Sequence, residues 1–156
     1  MKEKNEIILF ENQGVKLEVI LSEETVWLTQ AQMEIKTGYL YHIKDEYFDV
    51  VDDDSLMQNH EKGKKRPTYF TIKDKYILWF IPISSKVDKY KKIIDKKIER
   101  YGFCNTIIIR KIADEDAAIL LQNAFPTLEK YIDHVHTVDG VPLNVPTDLQ
   151  NEIKSL

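Results

Sequence analysis

The chain has 156 residues and a mass of 18.4 kDa, with 43% hydrophobic and 31% charged residues and only five glycines and five prolines. That is the length of one ordinary domain with enough apolar content for a buried core, which excludes a collagen-like or broadly disordered chain. A single cysteine, Cys104, excludes an internal disulfide, and no apolar run reaches the roughly 20 residues of a membrane-spanning helix. The net charge of −4 conceals three blocks: residues 1–60 carry −8, residues 61–111 carry +10 and residues 112–156 carry −6. A basic middle in an acidic chain is the footprint of a phosphate-rich partner, or else of a solvated lysine-rich helix face. The start M-K-E-K-N-E-I-I-L-F-E lacks the sustained apolar stretch and cleavage site of a signal peptide, so a cytoplasmic protein is expected.

In chain order, three short β-prone runs come first: E-I-I-L-F-E-N, V-K-L-E-V-I-L and T-V-W-L-T-Q, separated by N-Q-G and S-E-E. They predict two or three strands in hairpin arrangement. Thr29-Gln30 looks like a helix start that is abandoned before Met33. Residues 37–44 predict a strand with Tyr39 and Tyr41 on one face and Leu40 and His42 on the other. A polar loop through D-D-D and Q-N-H-E-K-G-K-K-R-P follows. Residues 68–72 and 76–83 predict strands, the second apolar enough to be buried. Residues 85–101 predict the clearest helix, with Val87, Tyr90, Ile94, Ile98 and Tyr101 at helical spacing. An S-x-x-D capping box (Ser85, Asp88) precedes it and Gly102 stops it. Residues 105–112 and 117–122 predict strands, and residues 125–135 and 147–156 short helices. Strands and helices without regular β-then-α alternation indicate an α+β domain on an antiparallel barrel.

The chemistry concentrates where the buried strand meets the lysine-rich helix, in F-I-P-I-S-S-K-V-D-K-Y. There Ser84, Ser85 and Lys86 stand at a helix N-terminus, whose unpaired N–H groups and dipole favour an anion. The alternative is that Ser85 only caps the helix. Upstream, in N-H-E-K-G-K-K-R-P-T-Y-F, Lys62, Lys64, Lys65 and Arg66 enter a strand after a loop containing Gly63, with His60 and Glu61 just before, either to meet phosphate or as a solvated basic loop. Tyr39, Tyr41, Tyr69 and Phe70 are candidates to stack on unpaired bases, although such rings more often finish a core. Lys86, Lys89, Lys92, Lys96 and Lys97 lie broadly opposite the apolar stripe of the helix, along which a structured RNA would fit. Asp133, His134 and His136 lack the companions of a metal site, so no metal and no cofactor are expected. There is no phosphate-binding glycine motif and no G-x-S-x-G.

The words N-E-I-I-L-F-E-N-Q and E-T-V-W-L-T-Q-A-Q-M resemble the N-terminus of RhuM-type virulence-associated proteins, without the helical DNA-binding region that follows in that family. Residues 1–32 are therefore expected to be a short appended β segment. From Met33 to about residue 145, M-E-I-K-T-G-Y-L-Y-H-I-K, the two words above and L-L-Q-N-A-F-P-T-L resemble the toxins of type III toxin–antitoxin systems, in the CptN branch of the ToxN-like endoribonucleases. A looser likeness extends to the Kid/MazF group. The resemblance implies a compact SH3-like antiparallel β-barrel with flanking helices over residues 33–156. It implies metal-independent RNA cleavage in which the ribose 2′-OH attacks the neighbouring phosphate, leaving 2′,3′-cyclic phosphate and 5′-OH ends. Ser84, Ser85 and Lys86 would hold the phosphate, Lys65 and Arg66 would stabilise its charge, and Tyr39 would lie near the attacked nucleotide. Lysine, histidine (His60 among them) and tyrosine remain open as the general base. Lys62, Lys64, Lys89, Lys92, Lys96, Tyr41 and His60 are the expected RNA-binding residues. The implied partner is a structured repeat RNA that acts as antitoxin, in a toxin–RNA hetero-oligomer active in phage defence. The competing readings are a non-catalytic nucleic-acid-binding module or inactive toxin relative, and a domain whose basic helix binds an acidic protein.

Overall fold

A computed structural model describes residues 6–12, 15–22, 25–28, 35–61 and 63–156. The chain divides into two compact units, Met1–Ile35 and Lys36–Leu156. In the first, β1 (Glu6–Asn12), β2 (Val15–Ser22) and β3 (Thr25–Leu28) form an antiparallel sheet with β2 in the centre. The register runs Glu6↔Leu21 to Asn12↔Val15 and Val19↔Leu28 to Ser22↔Thr25, as the three β-prone runs predict. Thr29, Gln30, Met33 and Lys62 lie outside the described residues.

The second unit is α+β, built on a seven-stranded antiparallel sheet. In chain order it contains β4 (Leu40–Ile43), α1 (Asp45–Val51), β5 (His60–Glu61), β6 (Lys64–Lys65), β7 (Thr68–Asp74), β8 (Ile77–Ser84), α2 (Val87–Tyr101), β9 (Ile108–Ile112) and β10 (Glu115–Ile119). It continues with β11 (Phe125–Thr127), β12 (Ile132–Val135), β13 (Thr137–Val138), β14 (Val141–Pro142) and α3 (Thr147–Ser155). The main order is β12-β4-β7-β8-β10-β9, while β11 also pairs with β8. β8 is therefore shared: Leu78–Phe80 pair with β11, and Ile83 and Ser84 with β10. Pro82 sits between those two ladders, where its missing N–H leaves no gap in either.

Alternation along β10 gives the sheet two apolar faces. Ala118 and the adjacent Leu120 pack with Tyr90 of α2 and Ile107. Ala117 and Ile119 pack with Leu149 and Ile153 of α3, and with Leu40, Tyr69, Ile81 and Ile83. Tyr41, Phe70, Phe80, Phe125 and Tyr47 form an aromatic cluster with ring centroids 5.1–6.2 Å apart. Leu40 and Tyr41 thus face opposite ways, as the alternation predicts.

The sheet is not closed into a barrel, contrary to the expectation of an SH3-like barrel: the described pairing ends at β9 and β12. The side chains of α3 share one core cluster with Leu40 of β4 and with Ile108 and Ile112 of β9. The helix thereby buries the apolar face that closure would otherwise cover. Residues 125–135 are not a helix. Phe125 pairs with Phe80 and Ile132 with Ile43, with a 3-10 turn between them. Apolar spacing there mimics a helical face, but Pro126 and two waiting strand edges decide for β structure. The predicted strand 117–122 ends at Ile119 and gives way to a 3-10 turn, Leu121–Asn123. Helix α1 carries no strong apolar period, so the sequence does not announce it. The apolar stripe of α2 is covered only in its first half, since Val87 and Tyr90 are buried whereas Ile98 and Tyr101 are exposed. Among the described residues no helix is long and apolar enough to cross a membrane.

Candidate functional site

The basic loop of the sequence folds into the β5–β6 hairpin, with Gly63 at φ +76° in its turn, a conformation glycine adopts without strain. His60 pairs with Lys65 and Glu61 with Lys64, and paired residues share a face. This register sorts the loop's charges. His60 and Lys65 both reach Asp45, at 2.7 and 4.0 Å, while Glu61 turns the other way, towards the end of β8.

There the Glu61 carboxylate is the hub. Arg66 Nη1 lies 2.7 Å from its Oε2, and the side chains are only 9% and 7% exposed. The Ser84 hydroxyl donates to both carboxylate oxygens at 3.1 and 3.2 Å, and the Ser85 hydroxyl approaches Oε1 at 3.4 Å. Arg66 is fixed from behind, donating from Nε to the Gln58 carbonyl and from Nη1 to the Ile83 carbonyl. Ser84 is also committed, since it accepts from the Lys86 backbone N–H at 3.2 Å. The predicted capping box is absent. Lys86 is the N-cap of α2 without a side-chain cap, because the Ser85 hydroxyl is drawn to Glu61.

These groups open onto a cleft of about 470 Å³, lined also by Lys64, Lys65, Leu40, His136, Glu115 and Asp116. Its far wall belongs to the β13–β14 hairpin, whose Asp139-Gly140 turn has φ +53° and +77°. Such D-G turns match the twist of two-residue hairpins. Val138 and Leu143 from this wall reach the cleft.

Beside the cleft, a bulge in β12 sets Asp133 outside the regular pairing, between Ile132↔Ile43 and His134↔His42. Asp133 takes the Lys65 ammonium at 2.8 Å. The Lys65 hydrogen bond holds the Asp133 carboxyl below its ordinary range, and the same contact holds the ammonium above its own. Asp45 is likewise lowered, first by the Asn59 amide and then by His60. His42 is pushed down to about 4, mainly by burial and then by His134 and His136.

Of the residues proposed to contact the phosphate, Ser84, Ser85, Lys65 and Arg66 meet at this cleft. Ser85 is exposed, and Lys64, expected only as an RNA contact, stands on the rim. Lys86 is exposed on α2 but does not line the cleft, and Tyr39 is half-buried, bridging to Asn144 instead. Tyr41 is buried, with its hydroxyl 2.8 Å from the Lys36 N–H. His60 points to Asp45, outside the cleft. Lys89, Lys92 and Lys96 are exposed on α2. Sequence reasoning missed Glu61 as the hub and His136 as a cleft residue. The signal for Glu61 was the E-K-G-K spacing of a two-residue hairpin; nothing local marks His136.

Chemically, the cleft offers an exposed hydroxyl, a cationic rim and a carboxylate placed to take a proton from a hydroxyl. The acidic side chains Glu115 and Asp116 limit its net positive charge. The chain matches no known family model and no curated protein sequence.

Proposed function

We propose that this chain is a metal-independent endoribonuclease of the type III toxin kind. The supporting observation is the placement of a buried, arginine-held carboxylate against two serine hydroxyls in a cleft at the start of a lysine-rich helix. On this reading Glu61 takes the proton of the ribose 2′-OH, whose oxygen attacks the adjacent phosphorus as the bond to the 5′-oxygen breaks. That 5′-oxygen takes a proton from water and leaves as a 5′-OH. A carboxylate so placed supplies general-base catalysis without a metal. Ser85 and Lys64 hold the phosphate, while Ser84, Arg66 and Lys65 keep the carboxylate and the rim in place. Lys89, Lys92 and Lys96 provide the track for a longer RNA, including a structured repeat RNA acting as cytoplasmic antitoxin in a toxin–RNA assembly.

One observation favours a second reading, a non-catalytic nucleic-acid-binding module. Lys65 and Arg66 are both engaged by carboxylates, which leaves less positive charge for a scissile phosphate. Incubation of the full chain with a mixed-sequence RNA in EDTA separates the two. Fragments ending in 2′,3′-cyclic phosphate, absent with a 2′-deoxy substrate and with Ser85→Ala, are expected. Retention of intact RNA without cleavage would favour the binding module.

A further inference from the structure

The four histidines of the chain, His42, His60 and the close pair His134 and His136, lie along one line of polar and stacking contacts beside the cleft. His60 Nε2 is 2.7 Å from Asp45, whose other oxygen is 4.0 Å from Lys65 Nζ. Lys65 passes to Asp133, which lies 3.4 Å from His134 Nδ1. His134 stacks on His42 at 4.6 Å, and His42 Nε2 is 2.8 Å from His136 Nδ1. Of these three packed rings only His136 lines the cleft. Among the described residues no set of three or more ligating side chains is arranged to hold a metal ion, so the short contact reads as a hydrogen bond between rings.

In such a pair of neutral rings, one nitrogen donates and the other accepts. His42 Nδ1 is buried and has no hydrogen-bond partner, and this orphan decides the direction. If His136 donated, His42 would carry its proton on Nδ1 and bury an N–H with no acceptor. If His42 donates from Nε2, the orphan is a bare nitrogen, which costs less than a buried unpaired donor. His42 Nε2–H therefore donates to His136 Nδ1, and the proton of His136 sits on its Nε2. That edge lies across the ring from the His42 contact, on a residue that lines the cleft. Burial lowers the pKa of both rings, so both are neutral near pH 7.

We propose that the Nε2–H of His136 donates a hydrogen bond to a non-bridging oxygen of a phosphodiester seated in the cleft, and that His42 fixes the tautomer that makes it a donor. The identity of the ligand rests on the ribonuclease reading; the tautomer does not. His136 then acts as a neutral, fixed dipole on the growing charge of the phosphorane and gives up no proton. His42 is a positioning residue.

Nitrogen-15 correlation spectra of the imidazoles in the full chain at pH 7 test the tautomer directly. Both His42 and His136 are expected with the proton on Nε2, and a proton on Nδ1 of His136 would overturn the assignment. A non-cleavable 2′-deoxy oligonucleotide is then titrated in. It is expected to bind and to move the His136 Nε2 signal, and binding with that signal unmoved, or no binding, refutes the contact. With RNA, His136→Ala is expected to lower kcat about 100- to 1,000-fold with KM little changed, the usual cost of removing one oxyanion donor. His42→Leu should lower kcat by a smaller factor, and His42→Gln should restore it, because a glutamine amide presents an N–H near the position of the missing Nε2. If the wild-type chain cuts RNA and His136→Ala cuts equally well, this inference fails and the ribonuclease reading stands. If the wild-type chain cuts no RNA, the ribonuclease reading fails while the spectra still decide the tautomer and the phosphodiester contact.

Discussion

The Glu61–Arg66 pair shows what a buried charge needs before it is tolerated. Desolvation penalises each ion by several kcal/mol, and only a close partner with further hydrogen bonds offsets that. Arg66 meets the condition with one carboxylate and two backbone carbonyls, Glu61 with one guanidinium and two hydroxyls. Removing one member strands the other. Arg66→Ala is expected to cost about 3–5 kcal/mol in urea unfolding, and adding Glu61→Gln should recover part of that loss. A cost of Arg66→Ala below about 1 kcal/mol would mean that Glu61 does not depend on the pair. The R-P-T word placed an arginine at a strand entry, and Arg66 stands in the two-residue link between β6 and β7. The word did not show that this arginine faces inward, because burial depends on what β8 brings opposite it.

Among the elements, α2 was the most legible. Its lysines and apolar residues separate at a 3.6-residue period, and Gly102, at φ +81°, ends it as a left-handed C-cap with its N–H on the Ile98 carbonyl. Exposure of Lys89, Lys92 and Lys96 on one helix predicts an ionic contribution to RNA binding. Replacing all three by alanine should reduce the slope of log K against log salt by up to about 2–3, at about 0.7–0.9 for each phosphate no longer neutralised. An unchanged slope would remove α2 from the RNA path. None of the short strands β5, β6 and β11 to β14 was predicted from the sequence. Gly63 in the β5–β6 turn and the D-G turn of β13–β14 are local turn marks, whereas β11 and β12 carry none, because they exist only as partners of β8 and β4. These strands, two to four residues long, have too little pattern of their own to declare themselves.

At the largest scale, the sheet of the Lys36–Leu156 unit is covered on its two faces by α2 and α3, and a polar cluster is enclosed beside the cleft. That cluster makes stability depend on pH. The folded-state pKa of His42, about 4, lies below the ordinary value of 6.5, so between these values the unfolded chain binds the extra proton. The His42 contribution is fully present above pH 6.5 and disappears as pH falls towards 4. Asp45 and Asp133, lowered in the fold, add contributions present above about pH 4 and absent well below it. Thermal melts should therefore show Tm falling from about pH 7 to about pH 4 and more steeply beneath. His42→Gln should flatten the upper stage, and an unaltered profile would show that His42 does not titrate with unfolding.

The sequence by itself determined the charge blocks, the N-terminal run of two or three strands, the strands β7 and β8, the α2 helix and the last helix, because each is written in local periodicity and punctuation. The family resemblance also joined Ser84, Ser85, Lys86, Lys65, Arg66 and Tyr39 in one expected site, of which Ser84, Ser85, Lys65 and Arg66 line the cleft and Lys86 and Tyr39 do not. Only the tertiary structure decided that Lys65 and Arg66 are held by Asp133 and Glu61, that the sheet is open with α3 packed on one face, and that His42, His134 and His136 touch. Those outcomes depend on strand register across up to 94 residues of separation, where one residue of slip would turn every side chain to the other face.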